Sequence, residues 1–299
     1  MMRIFTKPFF ALVLVALAGA LSAEAKVVLV VTADQTDYLW AGGGTIAAMI
    51  DDGATAYLVR VTNDDKDSWE LPPEETARRA RSESEEAAKI LGIKEVQSLG
   101  YRAGELGGVS PTEIRDRLIF YVRLYKPDVM FIPNPYAEYV EVLDRFYTGQ
   151  AAEEARRAAA LENFQPPHAE AGLKTHITPE LYYYAQPADP RRREPESPAT
   201  FVPQPKTVDI AKTFGRKLRA AQALETANRS LAMRIKDRLA STKRRLPLLD
   251  DVNEDSINRL IGINLTKLAE IAAEGTSFKQ AEEFHCAGVE YQIPAAYRK

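Results

Sequence analysis

A chain of 299 residues is long enough for one large α/β domain, or for one such domain with a helical appendage. Its 45% apolar and 27% charged residues are ordinary for a globular protein, and a formal charge of −3 argues against a nucleic-acid partner, which calls for a basic face. Cys286 is the single cysteine, which excludes an intramolecular disulfide and a metal cluster built on thiolates.

Arg3 and Lys7 form a short basic region, residues 9–21 are almost purely apolar, and Ala23-Glu24-Ala25 fits a small-x-small cleavage site. This pattern predicts a secretory signal peptide over residues 1–25, hence a secreted or periplasmic protein. The alternative is an uncleaved anchor, but the apolar core is shorter than the roughly 20 residues of a comfortable span. No cysteine lies near the cleavage site to carry a lipid, and no stable membrane span is expected after cleavage.

Past this segment, strands and helices alternate. The β-branched run 27–32 predicts a strand, and a polar loop then leads through Gly42-Gly43-Gly44 into a helix over 44–51. Residues 56–62 predict a second strand, 74–91 a long charged helix ending at a Gly92 cap, and 96–99 a short strand. A helix over 112–125 and a buried strand over 128–132 follow, then an alanine-rich helix over 147–161. Half of the 18 prolines fall in residues 165–205, a mostly irregular stretch with one strand expected at 181–185. Residues 206–299 read as a helical C-terminal part, with amphipathic helices over 210–239 and 256–273. The expected fold is a Rossmann-like α/β domain over 26–299, a parallel sheet with helices on both faces and a C-terminal helical extension.

Several local patterns carry little chemistry. A dinucleotide fingerprint places its glycines in the turn directly after the strand, whereas the triple glycine comes well after it. Gly43 and Gly44 fit close packing, or an unusual backbone angle at the helix entry, better than phosphate binding. Arg191-Arg192-Arg193 is followed by Glu194 and Glu196 and reads as a solvated loop. The glycosylation acceptors at Asn228 and Asn264 fall in predicted helices.

The order of motifs resembles the PIG-L/LmbE superfamily of zinc-dependent N-deacetylases, which act on N-acetylglucosamine-type sugars. The first strand and Gly43-Gly44-Thr45 match its opening, as do Val61-Thr62-Asn63-Asp64, Arg81-Ser82-Glu83, Leu91-Gly92 and Leu99-Gly100-Tyr101. Lys126-Pro127-Asp128-Val129 and the terminal Ala281-Glu282-Glu283-Phe284 extend the likeness over nearly all of the chain after residue 25.

Departures from that pattern fall on the working residues. Counted back from Gly43-Gly44-Thr45, the first ligand histidine becomes Asp34, the catalytic-base aspartate Thr36, and the loop glutamate Tyr38, while the second ligand is kept as Asp37. The later His-Pro-Asp-His reads Val142-Leu143-Asp144-Arg145, so Val142 replaces the acid histidine and Arg145 the third ligand; Ala103 replaces a further aspartate. A catalytic zinc takes about three protein ligands, mostly histidine, and leaves a position for water. Asp34 and Asp37 offer oxygen ligands, and an oxygen-only Mg²⁺ or Ca²⁺ site is conceivable. Arg145 cannot ligate a cation, because its guanidinium stays protonated. His168 and His176, in the proline-rich stretch, are the residues that would have to swing in to rebuild a nitrogen ligand set.

Two functional classes follow. In one, the chain is an exported, non-catalytic relative without a cofactor. It binds a small molecule, such as an amino sugar or glycoconjugate, or a partner protein in the inherited pocket, with Arg145 set between Asp34 and Asp37. In the other, it is an active amide hydrolase with a rebuilt metal site, zinc being the implied cofactor. A surviving pocket is expected to include Asn63, Arg81, Asn134, Tyr139 and Arg145 beside Asp34 and Asp37. Arg81 reads equally as half of a surface ion pair, and Tyr139 as a packing residue.

Overall fold

The computed structural model describes residues 25–135, 142–185 and 205–287; nearly all of the predicted signal peptide and the Arg191-Arg192-Arg193 run lie outside them. Strands β1 (Val27–Thr32), β2 (Thr55–Thr62), β3 (Glu95–Tyr101), β4 (Val129–Pro133) and β5 (Glu180–Tyr184) are mutually parallel, and β6 (Pro205–Asp209) and β7 (Ala281–Ala287) complete the sheet, β7 running antiparallel to both β5 and β6. Their spatial order is β3-β2-β1-β4-β5-β7-β6. From β1 the chain moves outward through α1 (Asp37–Asp51) to β2 and through α2 (Pro73–Leu91) to β3. It then returns through α3 (Pro111–Tyr125) to β4 on the other side of β1. The order therefore reverses between β1 and β4, and the crevice at their carboxyl ends is where such sheets hold ligands.

Both faces of the central strands are covered, which is why β1 and β4 are apolar without interruption. Val28 and Val30 pack with Leu58, Phe131, Tyr182 and Phe284 beneath α1 and α2. The alternate residues Leu29 and Val31 join Val59, Met130 and Ile132 beneath α3 and α4 (Leu143–Ala158). A third cluster, around Ile210, Phe214, Leu260, Ile261 and Leu265, unites α6 (Phe214–Gln222), α7 (Glu225–Ser241) and α8 (Glu254–Ala273). The short α5 (Pro167–Glu170) is the one helix in the described part of the proline-rich stretch.

Three expectations need correction. The first helix starts at Asp37, well before Gly44. Asp34 Oδ1 accepts the N–H groups of Thr36 and Asp37, both at 2.9 Å, and so satisfies donors that an isolated helix start would leave open. The glycines then lie inside the helix for packing reasons. A Cβ on Gly44 would stand 2.9 Å from Cβ and Cγ2 of Ile210, and one on Gly42 would stand 3.3 Å from the Phe284 ring.

Second, residues 206–299 are not wholly helical, because they supply most of β6 and all of β7, which pair antiparallel with each other. The charged pattern of β7 concealed it. Glu282 is 3% exposed, and its carboxylate accepts Gly44 N–H at 2.9 Å, Thr45 N–H at 2.7 Å and the buried Lys217 ammonium at 2.7 Å. Third, the predicted helix 210–239 is two helices. Asn228 Nδ2 donates to the Ala221 carbonyl at 2.7 Å, satisfying an acceptor at the end of α6 and favouring the break.

Candidate functional site

The loop after β1, the loop after β2 and the start of α4 converge at the crevice. Together with α7 they enclose a cavity of about 620 Å³, lined among others by Asp34, Thr36, Asp64, Asp67, Val142, Asp144 and Arg145. Helix α4 begins at Leu143, earlier than the expected residue 147, so Asp144 and Arg145 occupy its first turn. Gly149 brings this helix hard against β4: a Cβ there would lie 2.4 Å from the Pro133 carbonyl oxygen.

Arg145 bridges the two sides. Its Nε donates to Asp34 Oδ2 at 2.9 Å, and the same nitrogen lies 3.4 Å from Asp37 Oδ1. Asp37 is 1% exposed and Arg145 5%, so the contact is charge-assisted and shielded from water. Asp34 is saturated. Its Oδ1 accepts the Thr36 hydroxyl at 2.6 Å as well as two backbone N–H groups, and Nη2 of Arg145 lies 3.3 Å from that hydroxyl oxygen. Burial alone would raise the Asp34 pKa, but the Arg145 charge and hydrogen bond and the Thr36 donors hold it below the ordinary 3.8.

A second group of acids follows β2. Asp64 adopts a left-handed backbone at φ 57°, is fully buried, and pairs with the equally buried Arg60. Burial raises its carboxyl against the opposing Arg60 charge, and the negative Asp34 adds to the rise, leaving it at about 6. Asp67 is half-buried and is pushed well above the usual range by burial and by the charges of Asp64 and Asp34. Asp144 accepts the Leu106 N–H at 3.2 Å and the Gly104 N–H, and so fixes the loop that carries Ala103 to the cavity.

Of the predicted site residues, Asp34, Thr36, Asp37 and Arg145 come together, and Val142 lines the same cavity. Asn63, Arg81 and Asn134 are not among the described residues lining it. Asn63 turns its side-chain oxygen back to the Asp65 N–H at 3.2 Å, Asn134 pairs with His285 at 3.2 Å, and Arg81 is exposed on α2. Tyr139 lies outside the described residues. The two loop histidines are held elsewhere. His176 contacts the Pro127 carbonyl at 2.8 Å, at the opposite end of β4 from the crevice, and His168 lies 3.4 Å from Arg123.

Sequence reasoning passed over Asp64, Asp67, Trp40 and the α7 residues Asn228, Leu231 and Arg234. The rule that selected Asp34, a polar residue just after a parallel strand, also applies to Asp64. The α7 contribution depends on long-range packing and has no local signature.

These donors do not fit a zinc ion. Among the described residues no group of three or more His, Cys, Asp or Glu side chains is arranged to hold a metal, and the residue reaching both carboxylates is a guanidinium, which offers only N–H donors.

Residues 29–156 match the family described as PIG-L, GlcNAc-PI de-N-acetylase. Over 206 residues the chain is 27% identical to diacetylchitobiose deacetylase of Thermococcus kodakarensis, covering 68% of this chain and 70% of that protein. In structure it resembles the N,N'-diacetylchitobiose deacetylase of Pyrococcus horikoshii with a TM-score of 0.69 at 24% identity, over 92% of this chain and 88% of the other. It also resembles the 4-carboxy-2-hydroxymuconate hydratase GalB of Pseudomonas putida KT2440, with a TM-score of 0.58 at 20% identity over 92% of this chain and 99% of that one. A deacetylase and a hydratase thus share this architecture, so fold alone does not specify a reaction. With the family match over residues 29–156 and the likeness to diacetylchitobiose deacetylase, the chain carries a PIG-L family domain and is homologous to that deacetylase.

Proposed function

We propose that this protein is an exported, metal-independent member of the superfamily that binds an N-acylated amino sugar or glycoconjugate in the cavity and does not hydrolyse it. The curated relative, a diacetylchitobiose deacetylase, supports the ligand class. The observation that carries the rest is the Arg145 guanidinium, 2.9 Å from Asp34 and 3.4 Å from Asp37. A fixed cation there neutralises the carboxylates without offering water an open coordination position. Thr36 donates its hydroxyl proton to Asp34 and does not act as a base, and Val142 has no proton to give.

The test pairs binding with turnover. N-Acetylglucosamine and N,N'-diacetylchitobiose are titrated into the purified protein by calorimetry, and acetate is assayed after incubation with Zn²⁺, Mg²⁺ or Mn²⁺. Saturable binding with no acetate is expected. Acetate release that disappears in Asp37→Ala overturns the non-hydrolytic reading. The second reading, a working N-deacetylase, draws on Asp64, whose carboxyl near 6 lies in a range useful for proton transfer. Export is tested by N-terminal sequencing of the exported protein, which should begin at Lys26.

A further inference from the structure

The cavity is lined by two chemistries. Asp34, Thr36, Asp64, Asp67 and Arg145 make one part of it polar. Trp40 from α1, Val142 and Leu143 at the start of α4, and Leu231 from α7 add apolar side chains to the lining, Trp40 and Leu231 packing against one common cluster. Leu143 is 65% exposed, a degree of exposure that a packing role does not explain. The apolar part belongs to this chain in particular: Val142 and Ala103 stand where the resemblance implies a histidine and an aspartate. At about 620 Å³ the cavity falls inside the range that encloses a ligand of several hundred daltons, larger than one acetylated monosaccharide requires.

We infer that the cavity accepts an amino sugar whose N-acyl chain is longer than acetyl, with the aliphatic chain packing against apolar lining residues among Trp40, Val142, Leu143 and Leu231. This rests on the amino-sugar reading above and adds the class of acyl group. The sugar's hydroxyl groups find carboxylates and the Arg145 side of the cavity, while each chain methylene removes apolar surface of ligand and wall from water. Leu143, in contact with solvent in the free protein, has the most area to lose.

The experiment is calorimetric titration of the purified protein with N-acetyl-, N-butanoyl- and N-hexanoylglucosamine, repeated with Leu143→Asp. That variant changes a largely exposed side chain and leaves the core intact. The dissociation constant should tighten by about fourfold for each methylene fully buried, and Leu143→Asp should reduce this gain. Equal affinities along the series overturn the inference while leaving the amino-sugar reading in place, as does a gain that Leu143→Asp leaves undiminished. If no member of the series binds, both fall.

Discussion

Gly149 and Arg145 stand one helical turn apart on α4, and the missing side chain of the first sets the reach of the second. With no Cβ at 149, the helix approaches the Pro133 carbonyl closely enough that Arg145 Nε meets Asp34 Oδ2 at 2.9 Å. Close packing at the end of β4 thus decides what charge faces the loop after β1.

Gly149→Ala should therefore act at a distance. Its Cβ would fall 2.4 Å from a backbone oxygen that cannot rotate away. Overpacking of this kind costs about 1–3 kcal/mol or more, beyond the gain of up to about 1 kcal/mol in helix propensity. Denaturant titration should show the loss. If the proposed amino-sugar binding holds, the same variant should bind N,N'-diacetylchitobiose more weakly, because Arg145 moves with the helix.

Arg145→Met tests the charge itself. Removing the guanidinium takes the opposing charge away from Asp34 and Asp37 and should cost about 3–5 kcal/mol at pH 7. The sign with pH follows from Asp34. Its carboxyl lies below 3.8 in the folded protein, so the pair's stabilisation is present above pH 3.8 and is lost as pH falls through the lowered value. Without the guanidinium, burial raises the same carboxyl, and the variant loses stability as pH rises above 3.8. The difference in stability between the two proteins should accordingly be large at pH 7 and shrink steadily toward pH 4. A difference independent of pH contradicts the assignment.

A buried carboxylate also holds α1 to β7. Glu282→Ala removes the acceptor of two mid-helix N–H groups and of the Lys217 ammonium, which also donates to the Trp40 carbonyl at 2.8 Å. A loss of about 3–5 kcal/mol is expected. The double variant Lys217→Met with Glu282→Ala should recover part of it, since no lone buried charge remains. Urea unfolding of the single and double variants measures this directly.

Much of this architecture was legible in the chain because its signals are local. Period-2 and period-3.6 apolar patterns located the five parallel strands and the first helices, and the rule that ligands gather at strand ends selected Asp34 and Asp37. The identity of Arg145 at a ligand position predicted its place between the two acids, and the distances agree. What escaped notice depends on tertiary partners. β7 carries Glu282 and Glu283 and reads as solvated surface until Lys217 and the α1 amides are known. Helix α1 could not be extended back to Asp37 without the Asp34 cap, and its glycines look like a breaker until Ile210 and Phe284 are seen against them. Asn63 and Asn134 each follow a strand, but contacts of 3.2 Å to Asp65 N–H and to His285 engage their side chains.

Zinc titration checks whether the Arg145 guanidinium, set against Asp34 and Asp37, leaves room for a divalent cation. Calorimetry of the unaltered protein, stripped with chelator and titrated with Zn²⁺, should show no site of micromolar or tighter affinity, and its melting temperature should not respond to the chelator. The double variant Asp34→His with Arg145→His, which returns two nitrogen ligands beside Asp37, should gain such a site. One equivalent of tightly bound zinc in the unaltered protein, abolished by Asp37→Ala, would overturn the metal-independent reading.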